Sequence, residues 1–318
     1  MRISGIVPCL NEEGNIGAVY QRLTKVLSVY EDYEIIFIDD GSTDETLARI
    51  MDFSRQDSRV KYISFTRNYG LEAAFRMGFL YASFEWCAQY DADLQSPPEE
   101  TYRLVEKAEA GYDAVFGIRK NRNDSLFRIL GSKGQQLIAS KVFHITLPKG
   151  ASIFRLIKTV VARRVIRYPA RTAYFIATVP LVTSNYTTVE VAHHSRQWGG
   201  SKWNLRKMLK HSNELFFGFS NRMLDISCLA ALVGIGSLVL VLAVAAINKN
   251  PVLGLMYILL CILSGIQLFA LAAVTQHLKY TLHNRALEEF VFVRDSNIEA
   301  CVRECLRDIH TGGYEVEC

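Results

Sequence analysis

Two patterns of apolar positions divide the chain. Up to about residue 195, short apolar runs alternate with longer segments whose apolar residues recur at i, i+3 and i+4. The short runs predict strands at 3–8, 34–38, 60–65, 85–90 and 113–116. The intervening segments predict helices at 13–29, 43–54, 71–83 and 97–110. The last of these opens on Pro97 and Pro98 after Ser96, with Glu99 and Glu100 in its first turn, a good helix start. Alternation of this kind implies an α/β fold, a mostly parallel sheet with helices on both faces. Ligands of such sheets bind beyond the carboxyl ends of the strands, so the residues just after each strand carry the functional reading.

Further along, the apolar residues become continuous. Residues 226–247 are uncharged over 22 positions and 251–275 over 25. Each stretch is long enough to cross about 30 Å of hydrocarbon as a helix. Asn248-Lys249-Asn250 between them is a short polar turn, so the pair reads as a transmembrane hairpin; two buried core helices would show a similar pattern. Arg206, Lys207, Lys210 and Arg222 precede the first stretch, and Lys279, His283 and Arg285 follow the second. The turn holds Lys249 alone, so the positive-inside rule places both termini in the cytoplasm of a multi-pass inner-membrane protein. In 203–222, Leu205, Met208, Leu209, Ser212, Leu215, Phe216 and Phe219 share one helical face. Arg206, Lys207 and Lys210 occupy another, behind Trp203. That is the pattern of a helix lying in the headgroup layer, and also that of an amphipathic core helix. The expected division is an α/β domain over 1–202, the interfacial helix over 203–222, the two spans, and a cytoplasmic tail over 276–318. In the tail, Ser296 and Glu299 suggest a capping box, and Ile298, Val302, Cys305 and Ile309 a short docking helix.

Composition adds little to that division. Half of the 318 residues are hydrophobic and the mean hydropathy is +0.10, high for a purely soluble protein. A net charge of +4 suits anionic lipid or phosphate and carries no nucleic-acid signature. Seven cysteines at scattered spacing suggest reduced thiols rather than a disulfide framework or a CxxC metal site. Residues 1–10 lack the apolar core of a secretory signal, so the first domain is expected to stay in the cytoplasm.

Three acidic clusters fall directly after predicted strands: Asn11-Glu12-Glu13, Asp39-Asp40-Gly41-Ser42-Thr43-Asp44, and Asp91-Ala92-Asp93-Leu94-Gln95. Asp91 and Asp93, one residue apart after an apolar strand, can converge on one hard cation and leave positions for water and a diphosphate. Such a metal neutralises charge on a departing nucleotide diphosphate. Gln95 offers a further oxygen.

"VPCLNEEGNI", "IDDGSTDET", "RNYGLEAAFRMG" and "YDADLQSPPE" resemble the successive motifs of family 2 glycosyltransferases of the GT-A fold, and more closely the polyprenyl-phosphate glycosyltransferases. The likeness continues through "GIRKNR", "SIFRLI", "RQWGGSKW" and "NRALEEFVF", and so covers about residues 1 to 293. The resemblance implies that Pro8, Leu10, Asn11 and Glu12 line a nucleotide pocket. It implies that Asp39 and Asp40 meet base and ribose, with Ser42 and Asp44 fixing their loop. Asp91, Asp93 and Gln95 would hold Mg²⁺ or Mn²⁺ and the donor diphosphate. Arg119, Arg196 and Lys202 would handle phosphates of donor or acceptor. Arg122, Arg128 and Lys133 would contact either the acceptor phosphate or lipid headgroups. The implied partners are a nucleotide-sugar, with UDP-glucose expected, a polyprenyl phosphate such as undecaprenyl phosphate, the membrane, and further copies of the chain; no nucleic acid is expected.

Two positions depart from the family pattern. Many relatives have Asp immediately before the Phe-Arg-Leu of the sixth motif, proposed as the catalytic base, where this chain has Ile153; and many have Lys where it has Leu71. A processive polysaccharide synthase would carry more spans and a Gln-x-x-Arg-Trp signature, whereas this chain reads Arg196-Gln197-Trp198. A non-catalytic scaffold would tolerate Ile153 but has no need of Asp40, Asp91 and Asp93.

Overall fold

The computed structural model describes residues 1–119, 134, 137–148, 150–168, 174–192, 205–247, 253–287, 291–299 and 301. Strands β1 (Arg2–Cys9), β2 (Asp32–Asp39), β3 (Val60–Phe65), β4 (Trp86–Gln89) and β5 (Ala114–Arg119) lie within three residues of their predicted limits. Helices α1 (Glu13–Leu27), α2 (Thr46–Gln56), α3 (Leu71–Tyr81) and α4 (Thr101–Glu109) separate them, with a 3₁₀ turn over Pro98–Glu100 ahead of α4. There follow β6 (Ala151–Lys158), α5 (Thr159–Arg167), α6 (Phe175–Val182), β7 (Tyr186–Val191), α7 (Leu205–Phe219), α8 (Arg222–Ile247), α9 (Leu253–Leu287) and β8 (Val293–Ser296).

All eight strands join one sheet in the order β7-β5-β6-β4-β1-β2-β3-β8. Pairs β1–β2, β1–β4, β2–β3 and β5–β7 are parallel, and β6 runs antiparallel to both β4 and β5. Strands β2 and β3 step away from one side of β1 while β4 takes the other, so the chain reverses direction between β1 and β4. Such a reversal opens a crevice at the carboxyl ends of the two strands.

Burial explains why these segments are strands. Residues 3–7 of β1 and 33–39 of β2 are buried on both faces, as a sheet covered by helices on either side requires. One face packs Val7, Phe37, Tyr90 and Phe154 against α1 and α4; the other packs Ile6, Ile36, Phe65 and Phe116 against α3, α5 and α6. Gly78 of α3 lies so close to β1 that an added Cβ would stand 2.3 Å from Ile6 Cγ2, which brings the helix hard against the sheet.

Helices α8 and α9 are continuous over 26 and 35 residues and pack on one another, with Gly234 facing Gln267. Leu229, Leu232, Leu268 and Leu271 on their outer faces are all more than 60% exposed. Within the described residues no single helix is long and apolar enough to cross a membrane; Ser212–Phe219 and Leu224–Ser237, bent by 86°, pass that test only as a pair. The predicted polar turn at 248–250 lies outside the described residues.

The expected tail contains a strand that the apolar pattern did not suggest. Strand β8 runs antiparallel to β3, pairing Ile63 with Ser296 and Ser64 with Asp295, and forms the outer edge of the sheet. The Ser296 hydroxyl accepts from the Ile298 amide at 3.1 Å, and Glu299 and Cys301 are helical; residues 302–318 lie outside the described residues.

Candidate active site

The parallel register sets Cys9 opposite Asp39, so β1 and β2 end side by side and release their loops at the same level. The two loops are bonded to each other. The Asn11 amide donates to the Ser42 hydroxyl at 3.0 Å, and the Thr43 amide donates to Asn11 Oδ1 at 2.9 Å. The Glu12 amide donates to the Thr46 hydroxyl at 2.8 Å, and the Glu13 amide to Asp44 at 3.3 Å. Asn11 has φ 55°, in the left-handed region that Asn tolerates better than most residues, which turns its amide toward Ser42. Gly41 at φ +72° lets the β2 loop lie against the next one: a Cβ there would sit 2.5 Å from the Arg67 carbonyl carbon.

The acidic residues of this edge have distinct surroundings. Asp39 is wholly buried; it accepts from the Ser42 amide at 3.0 Å, the Ser64 hydroxyl at 2.6 Å and Arg294 at 3.2 Å. Asp40 accepts from the amides of Tyr69 (2.6 Å) and Gly70 (3.0 Å), fixing the β3–α3 loop. Burial raises the Asp40 carboxyl, opposed by those two amides and aided by the neighbouring Asp39 charge. Burial also acts to raise Asp44, but hydrogen bonds from Thr46 and the Glu13 amide prevail and hold it below the usual carboxylate range. Pro8, Leu10 and Glu12 stand on the same rim; Leu10 is exposed, and Glu12 accepts from Asn15 at 2.6 Å.

Across the crevice, β4 releases Asp91 and Asp93. The Ser96 hydroxyl donates to Asp91 at 3.1 Å and the Gln95 amide to Asp93 at 3.1 Å. Leu94, directly after Asp93, has φ 55°, an unfavourable conformation for an apolar residue with a Cβ, and its side chain is buried. The turn is therefore held against local backbone preference, as is common where carboxylates are presented to a ligand. Among the described residues no three His, Cys, Asp or Glu side chains gather into a metal cluster. A two-carboxylate donor set fits a hard cation that keeps water and phosphate oxygens in its remaining positions, rather than an all-protein cage.

Beneath this turn lies a charge that the sequence reading passed over. Arg155 of β6 is 1% exposed, sits over the Phe75 and Phe116 rings at 5.7 and 6.0 Å, and donates from Nε to Gln89 Oε1. Burial pulls its pKa down to about 10, partly offset by Glu72, Tyr174 and Asp91, so it stays cationic at neutral pH. Glu72 in the first turn of α3 faces it; burial raises this carboxyl to about 7 against the pull of Arg155 and the Phe175 amide. A lone Arg inside the apolar run "SIFRLI" was the available signal, since Arg is almost never fully buried without a purpose.

Ile153 packs into the apolar cluster on the α3 face, while Ser152 donates to the Gly117 carbonyl at 2.9 Å, so position 153 offers no proton acceptor. Arg119 ends β5, its backbone paired with Val191. Arg122, Arg128, Lys133, Arg196 and Lys202 lie outside the described residues.

Residues 4–164 match the family described as "Glycosyl transferase family 2". The chain belongs to that family. It is 30% identical over 286 residues to the uncharacterized glycosyltransferase YkcC of Bacillus subtilis (strain 168), an alignment covering 87% of this chain and 88% of that protein. It is also 30% identical over 255 residues to the undecaprenyl-phosphate 4-deoxy-4-formamido-L-arabinose transferase of Salmonella choleraesuis (strain SC-B67), covering 79% and 78%. Among solved structures it is similar in fold to glucosyl-3-phosphoglycerate synthase from Mycobacterium tuberculosis in complex with phosphoglyceric acid. That match has a TM-score of 0.51 at 16% identity and covers 70% of this chain and 79% of the other. The family 2 glycosyltransferase is thus an enzyme with the α/β architecture expected of GT-A folds.

Proposed function

We propose that this glycosyltransferase moves a hexose from a nucleotide-sugar, UDP-glucose or a related UDP-hexose, onto a polyprenyl phosphate at the cytoplasmic face of the inner membrane. The observation that carries the reading is the meeting of the β1, β2 and β4 loops at the sheet's reversal point, with Asp91 and Asp93 on one wall and Asn11, Glu12 and Asp40 on the other. The arabinose transferase relative, whose name gives undecaprenyl phosphate, supports the acceptor class.

In this reading Pro8, Leu10, Asn11 and Glu12 seat the nucleotide, and Asp39 and Asp40 hold the loops that border the base and ribose. Asp91 and Asp93, with Gln95, would hold Mg²⁺ or Mn²⁺, which when bound supplies the Lewis acid for the departing diphosphate. The lipid phosphate oxygen attacks the anomeric carbon as the bond to the nucleoside diphosphate breaks on the opposite face. The electron pair leaves with the diphosphate and the configuration inverts. Ile153 leaves this chemistry intact. A monophosphate ester has a second pKa near ~6 and is already largely dianionic at pH 7, so its oxygen needs no base to become a nucleophile. Arg119, Arg196 and Lys202 are proposed to neutralise phosphates of donor and acceptor, with Arg122, Arg128 and Lys133 as weaker acceptor contacts.

Helices α8 and α9 would anchor the enzyme as a membrane hairpin with both termini cytoplasmic. Their exposed leucines support this, since a contiguous apolar surface of this kind is costly in water. Helix α7 would lie in the headgroup layer, and pairing of hairpins would bring copies of the chain together. The test is transfer from a panel of radiolabelled UDP- and GDP-sugars to undecaprenyl phosphate by the purified protein with Mg²⁺ or Mn²⁺. A chloroform-soluble, acid-labile labelled product from one donor supports the reading. Absence of product from every donor, with folded protein and an active relative in parallel, would sink it.

A further inference from the structure

After leaving the sheet for α8 and α9, the chain returns to its outer edge as β8 and reaches the donor wall through one side chain. Arg294 donates from Nη2 to Asp39 at 3.2 Å, and from Nε and Nη2 to the Ser64 hydroxyl at 3.2 and 3.0 Å. That hydroxyl in turn donates to Asp39 at 2.6 Å. Asp39 is 0% exposed, and among the described residues Arg294 is the cation paired with it. Its other oxygen accepts from the Ser42 amide, whose side chain accepts from the Asn11 amide, so a continuous series of bonds runs from the tail to the β1 loop. A carboxylate out of water and without its counter-ion is expensive. Without Arg294, Asp39 loses the counter-ion that fixes it beside Ser64, which loosens its hold on the Ser42 amide.

The strand itself is docked independently of Arg294. The Thr66 amide donates to the Phe292 carbonyl at 2.9 Å, Asn297 accepts from the Tyr62 amide at 2.8 Å, and the Tyr62 hydroxyl donates to Asp295 at 3.1 Å. The guanidinium therefore has a task beyond holding β8 in place.

We propose that Arg294 is a positioning residue for the donor site, acting through Asp39 and Ser42 on the Asn11 loop and tying donor affinity to the strand that follows α9. The proposal rests on reading this edge as the nucleotide-sugar site. UDP is titrated in the presence of Mn²⁺ into purified full-length wild type, R294A, R294K and D295A, and the KM values for donor and for undecaprenyl phosphate are measured separately. R294A is expected to raise the UDP Kd and the donor KM about tenfold, the scale of losing one charged hydrogen bond, with the acceptor KM unchanged. R294K is expected to recover most of the loss. D295A, which removes β8 contacts to the Tyr62 hydroxyl and the Ser296 amide, is expected to leave the donor KM within about twofold of wild type, since neither bond belongs to the Asp39–Ser42 series. A wild-type donor KM in R294A, an equal rise in both KM values, or an equal effect of D295A overturns the positioning role while wild type still binds UDP. Failure of wild type itself to bind UDP overturns the donor-site reading and this proposal with it.

Discussion

Asn11 and Ser42 fix each other's loops: the Asn11 amide donates to the Ser42 hydroxyl at 3.0 Å, from a backbone turned into the left-handed region. Ser42 is buried, and its own amide is held by Asp39, so the contact links the Asn11 loop to the end of β2. Ser42→Ala removes the acceptor of the Asn11 amide, a change costing about 0.5–1.5 kcal/mol at this part-buried position. The expected result is a lower thermal midpoint together with a raised donor KM and an unchanged acceptor KM. A normal donor KM in folded S42A would separate the loop contact from nucleotide binding.

The Asp91–Asp93 turn makes a sharper prediction. Asp93→Asn keeps the volume and the shape of the side chain but removes one of the two charges expected to hold the cation. Metal-dependent UDP binding should be lost, and kcat/KM should fall by roughly 10²-fold or more, the scale of removing a preorganised electrostatic partner. Chelation of wild type with EDTA should abolish transfer, and Mn²⁺ or Mg²⁺ should restore it. Full activity in EDTA would show that the two carboxylates serve some other purpose.

The sheet through β5 was legible because its strands are short, apolar and separated by amphipathic helices of ordinary length. The acidic clusters were legible because each follows such a strand. Strand β6 was not: "ASIFRLIK" carries a charge at Arg155, and only the burial of that guanidinium between Phe75 and Phe116 shows why a strand tolerates it. Strand β8 was hidden for a different reason. "VRDS" has no apolar alternation, since three of its four side chains serve polar tasks at the sheet edge: Arg294 on Asp39, Asp295 on Tyr62 and Ser296 on the Tyr62 carbonyl. A short edge strand whose side chains bond a partner distant in sequence leaves no periodicity to read.

Glu72 should make stability depend on pH. Its carboxyl is raised from 4.5 to about 7 by burial, so between these values the folded state binds a proton that the unfolded chain has released. Stability therefore falls as pH rises through that window, and the contribution present below 4.5 is lost above 7. Glu72→Gln cannot ionise, and should gain on wild type in thermal midpoint at pH 8 relative to pH 5. Parallel curves for the two proteins between pH 5 and pH 8 would show that Glu72 does not titrate in this window.

The last prediction concerns what surrounds α8. Leu232 is 67% exposed on a helix of 26 residues, and its neighbours Leu229 and Val233 are exposed as well. In water, Leu232→Lys would be a benign surface change within about ±0.5 kcal/mol. In hydrocarbon the same change costs about 2.5–3.5 kcal/mol near the middle of a span on insertion scales. L232K is therefore expected to lower the fraction of protein that pellets with membranes after alkaline extraction, while E45K on the catalytic domain's exposed surface leaves that fraction unchanged. Equal retention of L232K and wild type would place the exposed leucines against protein or water, and the anchor would have to lie elsewhere in the chain.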